Sequence, residues 1–210
     1  MIQKGFQSSP RAALAAWGPI VILSAVSGAM LLLPPAWVAV LRYERGAVGR
    51  GEWWRLITAN FLHLGVWHYL LNVASLVLLA LLCPEREAWR HWILQVLVVA
   101  AGTCTGLYFG APAVIFYVGL SGMIYGLFLL GLGRQALNGD RIAMLCLAFL
   151  IGRVAWEFIV GIPASEERLI GGRVVPQSHL SGMVAALIYA AAAGLIQKIN
   201  ALRHKMPQAL

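Results

Sequence analysis

Long apolar runs recur along the whole chain and are separated by short polar segments. Taking about 20 residues as one membrane crossing, this pattern predicts six helices, near residues 13–33, 67–83, 91–110, 119–137, 141–161 and 178–199. Pro34-Pro35 ends the first helix and Cys83-Pro84 ends the second, because proline cannot continue the hydrogen-bond ladder of a helix. No stretch remains that is long enough for a separate soluble domain. We therefore predict a single all-α membrane domain over residues 1–210.

Composition supports a membrane location. Of the 210 residues, 60% are hydrophobic and only 11% are charged, a balance that the wetted surface of a soluble domain does not sustain. The net charge of +8 comes mostly from basic residues between the apolar runs, where they meet anionic headgroups. Because no basic cluster with interleaved aromatic residues is present, we expect the lipid bilayer, and not nucleic acid, as the partner of this charge.

The basic residues also predict the orientation of the helices. Six crossings place both termini on one side of the membrane. If that side is the cytoplasm, the inside segments carry nine Lys and Arg residues and the outside segments carry six, which agrees with the positive-inside rule. Lys4 and Arg11 precede the first apolar run, as in a secretory signal, but the run is too long for a cleaved signal and further helices follow it. We predict a multi-pass protein with cytoplasmic N- and C-termini and a retained first helix.

The segment from Pro34 to Trp67 is long for a membrane loop. It contains Trp37, Tyr43 and Trp53 among basic residues, a mixture typical of the membrane interface. We expect a structured first loop that lies against the outer leaflet.

Polar side chains, which are costly in an apolar setting, gather at the beginnings of three helices. These groups are His63, His68 and Asn72 at the second helix, Gly119-Leu120-Ser121-Gly122 at the fourth, and Ser178-His179 at the sixth. Because even-numbered helices all start on the same side of the membrane, the three groups lie at one depth near the outer face. Separate motifs can therefore converge on one site.

Ser121 and His179 are the candidate catalytic pair. Gly122 and Gly126 form a small-xxx-small surface on the fourth helix, and Gly182 shares the face of His179 on the sixth. Two such faces allow close helix packing. Ser121 Oγ would then lie within hydrogen-bond reach of His179, the arrangement that makes a hydroxyl nucleophilic.

Donors for a developing oxyanion are predicted nearby. His68 and Asn72 are four residues apart and share one face of the second helix. The backbone N–H of Ser121, at a helix N-terminus, adds another donor and a favourable dipole, and Gly119 is assigned to the same part of the site. We expect His63 to hold the adjoining loop in place.

The same residues also have structural explanations, and two other protease chemistries lack their required residues in this sequence. A Gly-x-Ser-Gly sequence in a membrane helix often serves packing, and an intramembrane histidine can be structural or part of a proton relay. The single aspartate, Asp140, excludes an aspartyl mechanism, and no His-Glu-x-x-His sequence supports a metalloprotease. We expect no metal and no cofactor. Three cysteines without CxxC spacing are expected to pack as small apolar residues: Cys83, Cys104 and Cys146.

An acidic third member of a catalytic triad is not evident from the sequence. Glu157 is the only acid within a predicted span, and Arg153, one turn earlier, is its expected ion-pair partner. A catalytic or substrate-binding role for Glu157 is the alternative. The sequence therefore predicts a Ser-His dyad.

Taken together, these motifs resemble the rhomboid family of intramembrane serine proteases. The likeness rests on Trp54-Arg55, His63-xxxx-His68-xxx-Asn72, Gly119-Leu120-Ser121-Gly122 with Tyr125 one turn on, and His179-xx-Gly182. The resemblance implies a six-transmembrane-helix rhomboid-like bundle with a structured first loop.

The resemblance also implies roles for these residues. Ser121 would be the nucleophile, His179 the general base, and His68 and Asn72 the oxyanion donors. Tyr125 would support the imidazole of the base. Trp54 and Arg55 would stabilise the first loop.

Within that family the chain is most similar to the rhombosortases, small bacterial rhomboids that accompany proteins with a C-terminal Gly-Gly-type sorting tail. The segments that carry this likeness are Tyr117–Gly122, Ala155-Trp156-Glu157 and Ser178-His179-Leu180-x-Gly182. The likeness implies single-pass membrane proteins with such tails as substrates. It also implies cleavage in the bacterial inner membrane, at a site that opens toward the periplasm.

Two other functions are compatible with parts of the pattern. A non-catalytic rhomboid-like adaptor would bind transmembrane helices through the same glycine faces, but it would not need Ser121 and His179 together. A transporter would place polar residues at both depths, whereas here they gather at the outer end. In an enzyme, the Gly- and Pro-containing loop from Gly161 to Gln177 is expected to be a mobile cap over the site.

Overall fold

The computed structural model describes residues 10–83 and 89–205. In this part of the chain the helices are α1 (Pro10–Met30), α2 (Pro35–Leu41), α3 (Arg45–Gly49), α4 (Arg55–Thr58), α5 (Val66–Leu82), α6 (Trp89–Gly110), α7 (Ser121–Leu137), α8 (Arg141–Ile159), α9 (Ala164–Ile170) and α10 (Pro176–Lys205). A 3-10 helix (Ala59–Phe61) joins α4 to α5, and the strands β1 (Tyr43–Glu44) and β2 (Phe116–Tyr117) form an antiparallel pair. Lys4 and Pro84, which entered the sequence predictions, lie outside the described residues.

Within residues 10–83 and 89–205, six long helices occupy the six predicted positions, which confirms the all-α polytopic fold. They are α1, α5, α6, α7, α8 and α10. Among the described residues, α6, α8 and the stretch Pro176–Lys198 of α10 are each long and apolar enough to cross a membrane alone. The helices α5 and α7 have 17 residues each and are shorter than a typical crossing.

The first loop is folded, and a buried arginine holds it together. Arg55 is only 5% exposed, and its Nη1 donates to the carbonyl oxygens of Ala39 (2.7 Å) and Arg42 (2.8 Å). Its Nε donates to the carboxylate of Glu52 at 2.8 Å. The indole N–H of Trp54 donates to the carbonyl of Val40 at 3.1 Å. Trp54 and Arg55 therefore connect α4 to the segment that contains α2.

A two-strand ribbon ties this loop to the segment that precedes α7. Tyr43 pairs with Tyr117, and Glu44 pairs with Phe116. Both tyrosines are buried in a small apolar cluster with Cys104 of α6. The sequence did not predict the ribbon, because strands of two residues are too short to show an alternating pattern.

The contact between α7 and α10 positions the site. A Cβ atom added to Gly182 would overlap the carbonyl oxygen of Gly122, and one added to Gly126 would lie 2.5 Å from the carbonyl oxygen of Gly182. The two backbones touch directly, as the small-residue faces predicted. The neighbouring Leu120, Met123 and other buried residues of α5, α6 and α7 fill the main core.

Candidate active site

Ser121 and His179 lie side by side where α7 and α10 begin. The distance between Ser121 Oγ and His179 Nε2 is 3.0 Å. Ser121 is the first residue of α7, and His179 lies in the first turn of α10 and is 5% exposed. With its lone pair on Nε2, the imidazole is placed to accept the serine proton.

Tyr125, one turn after Ser121, forms one wall of the imidazole pocket. Its ring is stacked on the ring of His179, with centroids 4.3 Å apart and an interplanar angle of 7°. The stack limits rotation of His179 about its side-chain bonds. Tyr125 therefore lies directly against the imidazole of His179.

A carboxylate contacts the opposite edge of the same imidazole. His179 Nδ1 lies 2.6 Å from Oε2 of Glu157 on α8, and the side chain of Glu157 is fully buried. From the sequence, an ion pair with Arg153 is the expected role of Glu157, and a catalytic or substrate-binding role is the alternative. The structure shows three side chains in line: Ser121, His179 and Glu157.

The expected ion pair of Glu157 with Arg153 is present but is not the strongest contact of either residue. Arg153 Nη2 lies 3.3 Å from Glu157 Oε1, and this oxygen has no hydrogen-bond partner. The same nitrogen donates to both carboxylate oxygens of Glu166, at 3.1 and 3.0 Å. Glu166 belongs to α9, within the loop predicted to be a cap. Arg153 therefore links α9 to α8.

His68 and Asn72 lie on α5 and are both buried. The backbone N–H of Leu64 donates to His68 Nδ1 at 3.3 Å, so a neutral His68 carries its proton on Nε2. The side-chain amide of Asn72 donates one hydrogen to the carbonyl of His68 at 3.0 Å. Each side chain retains an N–H suited to an oxyanion.

Gly119 brings the turn before α7 against His68. Its φ is +136°, a region that L-residues rarely adopt, and a Cβ atom there would lie 2.8 Å from His68 Cε1. Its N–H donates to the carbonyl of Ala59 at 3.1 Å. Gly119 therefore shapes the predicted oxyanion region through its backbone conformation, since its own N–H is already engaged.

Tyr117 was not assigned a role from sequence, apart from its place in the rhombosortase likeness. Its hydroxyl donates to the carbonyl of Gly119 at 2.7 Å and also interacts with the hydroxyls of Ser121 and Ser178. Burial raises the pKa of the Tyr117 phenol, which keeps it a neutral donor. No local sequence signal distinguishes it from an ordinary core tyrosine.

His63 packs against two neighbouring rings. Its ring meets the rings of His68 (5.0 Å) and Tyr69 (5.6 Å) edge-on. Both ring nitrogens are buried without a hydrogen-bond partner in the described structure. Burial, with a contribution from nearby His68, lowers the pKa of His63 from 6.5 to about 3. His63 is therefore a neutral packing residue.

Comparison with known proteins identifies the family of the chain. The model of the rhomboid domain matches residues 50–195, a range that includes every residue of the site. A protein of Bacillus subtilis (strain 168) named "Putative rhomboid protease YdcA" is 34% identical over 152 residues, which cover 67% of this chain and 74% of that protein. The chain belongs to the rhomboid family of multi-pass membrane proteins, and this membership supports an intramembrane serine protease.

Proposed function

We propose that the chain is an intramembrane serine endopeptidase in which Ser121 is the nucleophile and His179 the general base. The observation that carries this proposal is the 3.0 Å contact between Ser121 Oγ and His179 Nε2. A non-catalytic adaptor has no need of this contact, because helix binding through glycine faces requires neither a hydroxyl nor an imidazole.

The reaction follows from the geometry. Ser121 Oγ attacks the scissile carbonyl carbon while its proton moves to His179 Nε2, and a tetrahedral oxyanion forms. His179 then gives that proton to the amide nitrogen as the C–N bond breaks. Water then attacks the acyl carbonyl while its proton moves to His179, and His179 returns this proton to Ser121 Oγ as the Oγ–acyl bond breaks and the acid product leaves.

Three groups are the proposed donors to the oxyanion. These are the Nε2–H of His68, the second amide hydrogen of Asn72 and the backbone N–H of Ser121. The last belongs to the first turn of α7, whose N–H groups have no partner within the helix. Donors fixed in a buried site stabilise developing charge without reorganisation.

The proposed substrates are single-pass membrane proteins with a C-terminal Gly-Gly-type tail. Glycine lowers helix stability by about 1 kcal/mol per residue relative to alanine, so a glycine-containing turn unwinds readily and exposes its carbonyl to Ser121. The motif segments Tyr117–Gly122 and Ala155–Glu157 support this assignment by their likeness to rhombosortases. Both termini would lie in the cytoplasm, and the site would open toward the periplasm of a bacterial inner membrane.

Cleavage of a membrane-inserted test substrate with a Gly-Gly-type tail examines this proposal. We expect Ser121→Ala and His179→Ala each to lower kcat by at least about a thousandfold. Matched controls are Ser75→Ala, whose hydroxyl faces the carbonyl of Leu71 on α5, and His91→Ala, at an exposed position of α6. Wild-type cleavage rates in folded Ser121→Ala or His179→Ala would contradict the proposed pair. Cleavage of other transmembrane substrates but not of this tail would contradict the substrate assignment alone.

A further inference from the structure

Glu157 is unusual because it places a carboxylate inside a membrane helix. Its side chain has no exposed surface, and a charged side chain at such a position costs several kcal/mol. Among the described residues, it meets Arg153 on its own helix, His179 on α10 and the hydroxyl of Tyr125 on α7. A neutral hydroxyl does not require a charged partner, so the contact with Arg153 or the contact with His179 must explain why this residue is a carboxylate.

The contact with Arg153 does not explain it. Arg153 Nη2 binds both oxygens of Glu166 at 3.0–3.1 Å, whereas its 3.3 Å approach to Glu157 Oε1 leaves that oxygen without a hydrogen bond. The guanidinium would keep a carboxylate partner on α9 if Glu157 were absent. Neutralising Arg153 is therefore not a sufficient role for Glu157.

The contact with His179 is shorter and directional. Glu157 Oε2 and His179 Nδ1 are 2.6 Å apart, the spacing of a charge-assisted hydrogen bond. An N–H on Nδ1 places the lone pair of the neutral ring on Nε2, which faces Ser121 Oγ at 3.0 Å. Carboxylate, imidazole and hydroxyl are joined through the two nitrogens of one ring, in the order that a Ser-His-acid triad requires.

We propose that Glu157 is a positioning residue of the active site and that the catalytic group is a Ser121–His179–Glu157 triad in place of the expected dyad. This inference rests on the proposed serine protease function. Glu157 holds the Nδ1–H tautomer and stabilises the imidazolium that forms when His179 takes the serine proton. The proton on Nδ1 stays on the ring throughout, and the proton taken from Ser121 is accepted and released only by Nε2.

The network also connects the triad to the cap. Glu157 on α8 approaches Arg153, and Arg153 is bound by Glu166 on α9. Glu166 does not touch His179, so it serves as a matched Glu→Gln control within the same charge network. If Glu157 only balanced Arg153, both Glu→Gln changes would have similar effects.

The test measures three properties of purified, folded protein. These are kcat and KM for the membrane substrate, the rate at which a fluorophosphonate probe labels Ser121, and the thermal unfolding midpoint. In Glu157→Gln we expect kcat and the labelling rate to fall together by about 10²- to 10⁴-fold, with KM changed less than about threefold. Glu166→Gln should lower both rates less than about tenfold. Glu157→Asp, which keeps the charge on a side chain one methylene shorter, should recover part of the loss.

The outcomes separate this inference from the proposal on which it rests. If Ser121 of the wild type is neither labelled nor able to support cleavage, the protease function fails and the triad fails with it. If the wild type is labelled at Ser121 but folded Glu157→Gln is labelled equally fast, the triad alone is overturned. Equal losses in Glu157→Gln and Glu166→Gln would also overturn it, by assigning the effect to Arg153. If Glu157→Gln does not fold, Glu157→Asp is the deciding variant. A wild-type labelling rate in Glu157→Asp would count against a positioning role. A partial loss of its labelling rate without a change in KM would support that role.

Discussion

The imidazole of His179 lies flat on the ring of Tyr125, with centroids 4.3 Å apart and planes inclined by only 7°. Parallel stacking and the hydrogen bond to Glu157 restrain different motions of the same ring. The stack opposes tilting of the imidazole out of its plane, and the hydrogen bond opposes rotation within the plane. Together they hold Nε2 toward Ser121 Oγ.

The Tyr125 ring, and not its hydroxyl, should matter most for the position of His179. Tyr125→Phe keeps the stack and should retain kcat within about threefold, whereas Tyr125→Leu removes a ring pair worth about 0.5–1.5 kcal/mol and should lower kcat about tenfold. The measurement is cleavage rate per folded protein, with unfolding followed in parallel. Equal losses in Tyr125→Phe and Tyr125→Leu would assign the function to the hydroxyl, which both variants lack.

Gly182→Ala should damage both folding and activity. The added methyl group would overlap the carbonyl oxygen of Gly122, and a backbone atom cannot move aside as a flexible side chain can. We expect a loss at the upper end of about 1–3 kcal/mol in the free energy of unfolding, with reduced cleavage because α10 carries His179. Unfolding in detergent and cleavage in membranes would be measured together.

Gly194→Ala is the matched control for this change. Gly194 lies on the same helix, and no atom lies within 4 Å of its added methyl group, so replacement should be neutral or slightly stabilising. Equal stabilities of the Gly182 and Gly194 variants would contradict the direct backbone contact between α7 and α10.

The sequence predicts those features of the structure that depend on residues close together in the chain. The positions of the six helices and the glycine faces follow from runs and spacings within single segments, and the structure contains both. The partner of Glu157 does not follow in this way, because the rotation of α8 about its axis decides whether the carboxylate meets α10. Arg153, four residues away, offered the only local partner, which is why an ion pair was predicted. The ribbon between β1 and β2 joins residues more than 70 positions apart, so local sequence patterns do not predict it either.

Gly119→Ala should lower activity more than a positive φ alone explains. Two costs combine at Gly119: a backbone conformation that costs an L-residue about 1–3 kcal/mol, and a methyl group 2.8 Å from His68 Cε1. The second cost displaces the ring predicted to bind the oxyanion. We expect Gly119→Ala to reduce kcat about 100-fold, because one oxyanion donor is worth about 10²- to 10³-fold.

Gly139→Ala separates the two costs. Gly139 also has a positive φ, +89°, but no atom lies within 4 Å of its added methyl group. This variant should lose stability without a specific loss of kcat. Kinetics and unfolding of both variants would be compared, and a similar kcat in the two would argue against a role for the Gly119 turn in placing His68.

His63 should make the stability of the protein depend on pH. It lies in the loop before α5 and faces His68 and Tyr69, and burial lowers its pKa from 6.5 to about 3. Between these values the unfolded chain binds a proton at His63 that the folded chain does not, so the free energy of unfolding falls as pH falls from about 6.5 toward 3. This contribution is fully present above about pH 6.5.

His63→Phe keeps an aromatic ring that cannot be protonated, and it should lose less stability than the wild type between about pH 7 and pH 5. Thermal unfolding at both pH values measures the difference, with His91→Phe at the exposed position on α6 as the control. Parallel pH profiles of His63→Phe and the wild type would show that His63 takes up its proton equally in the folded and unfolded protein, which would contradict a buried neutral ring.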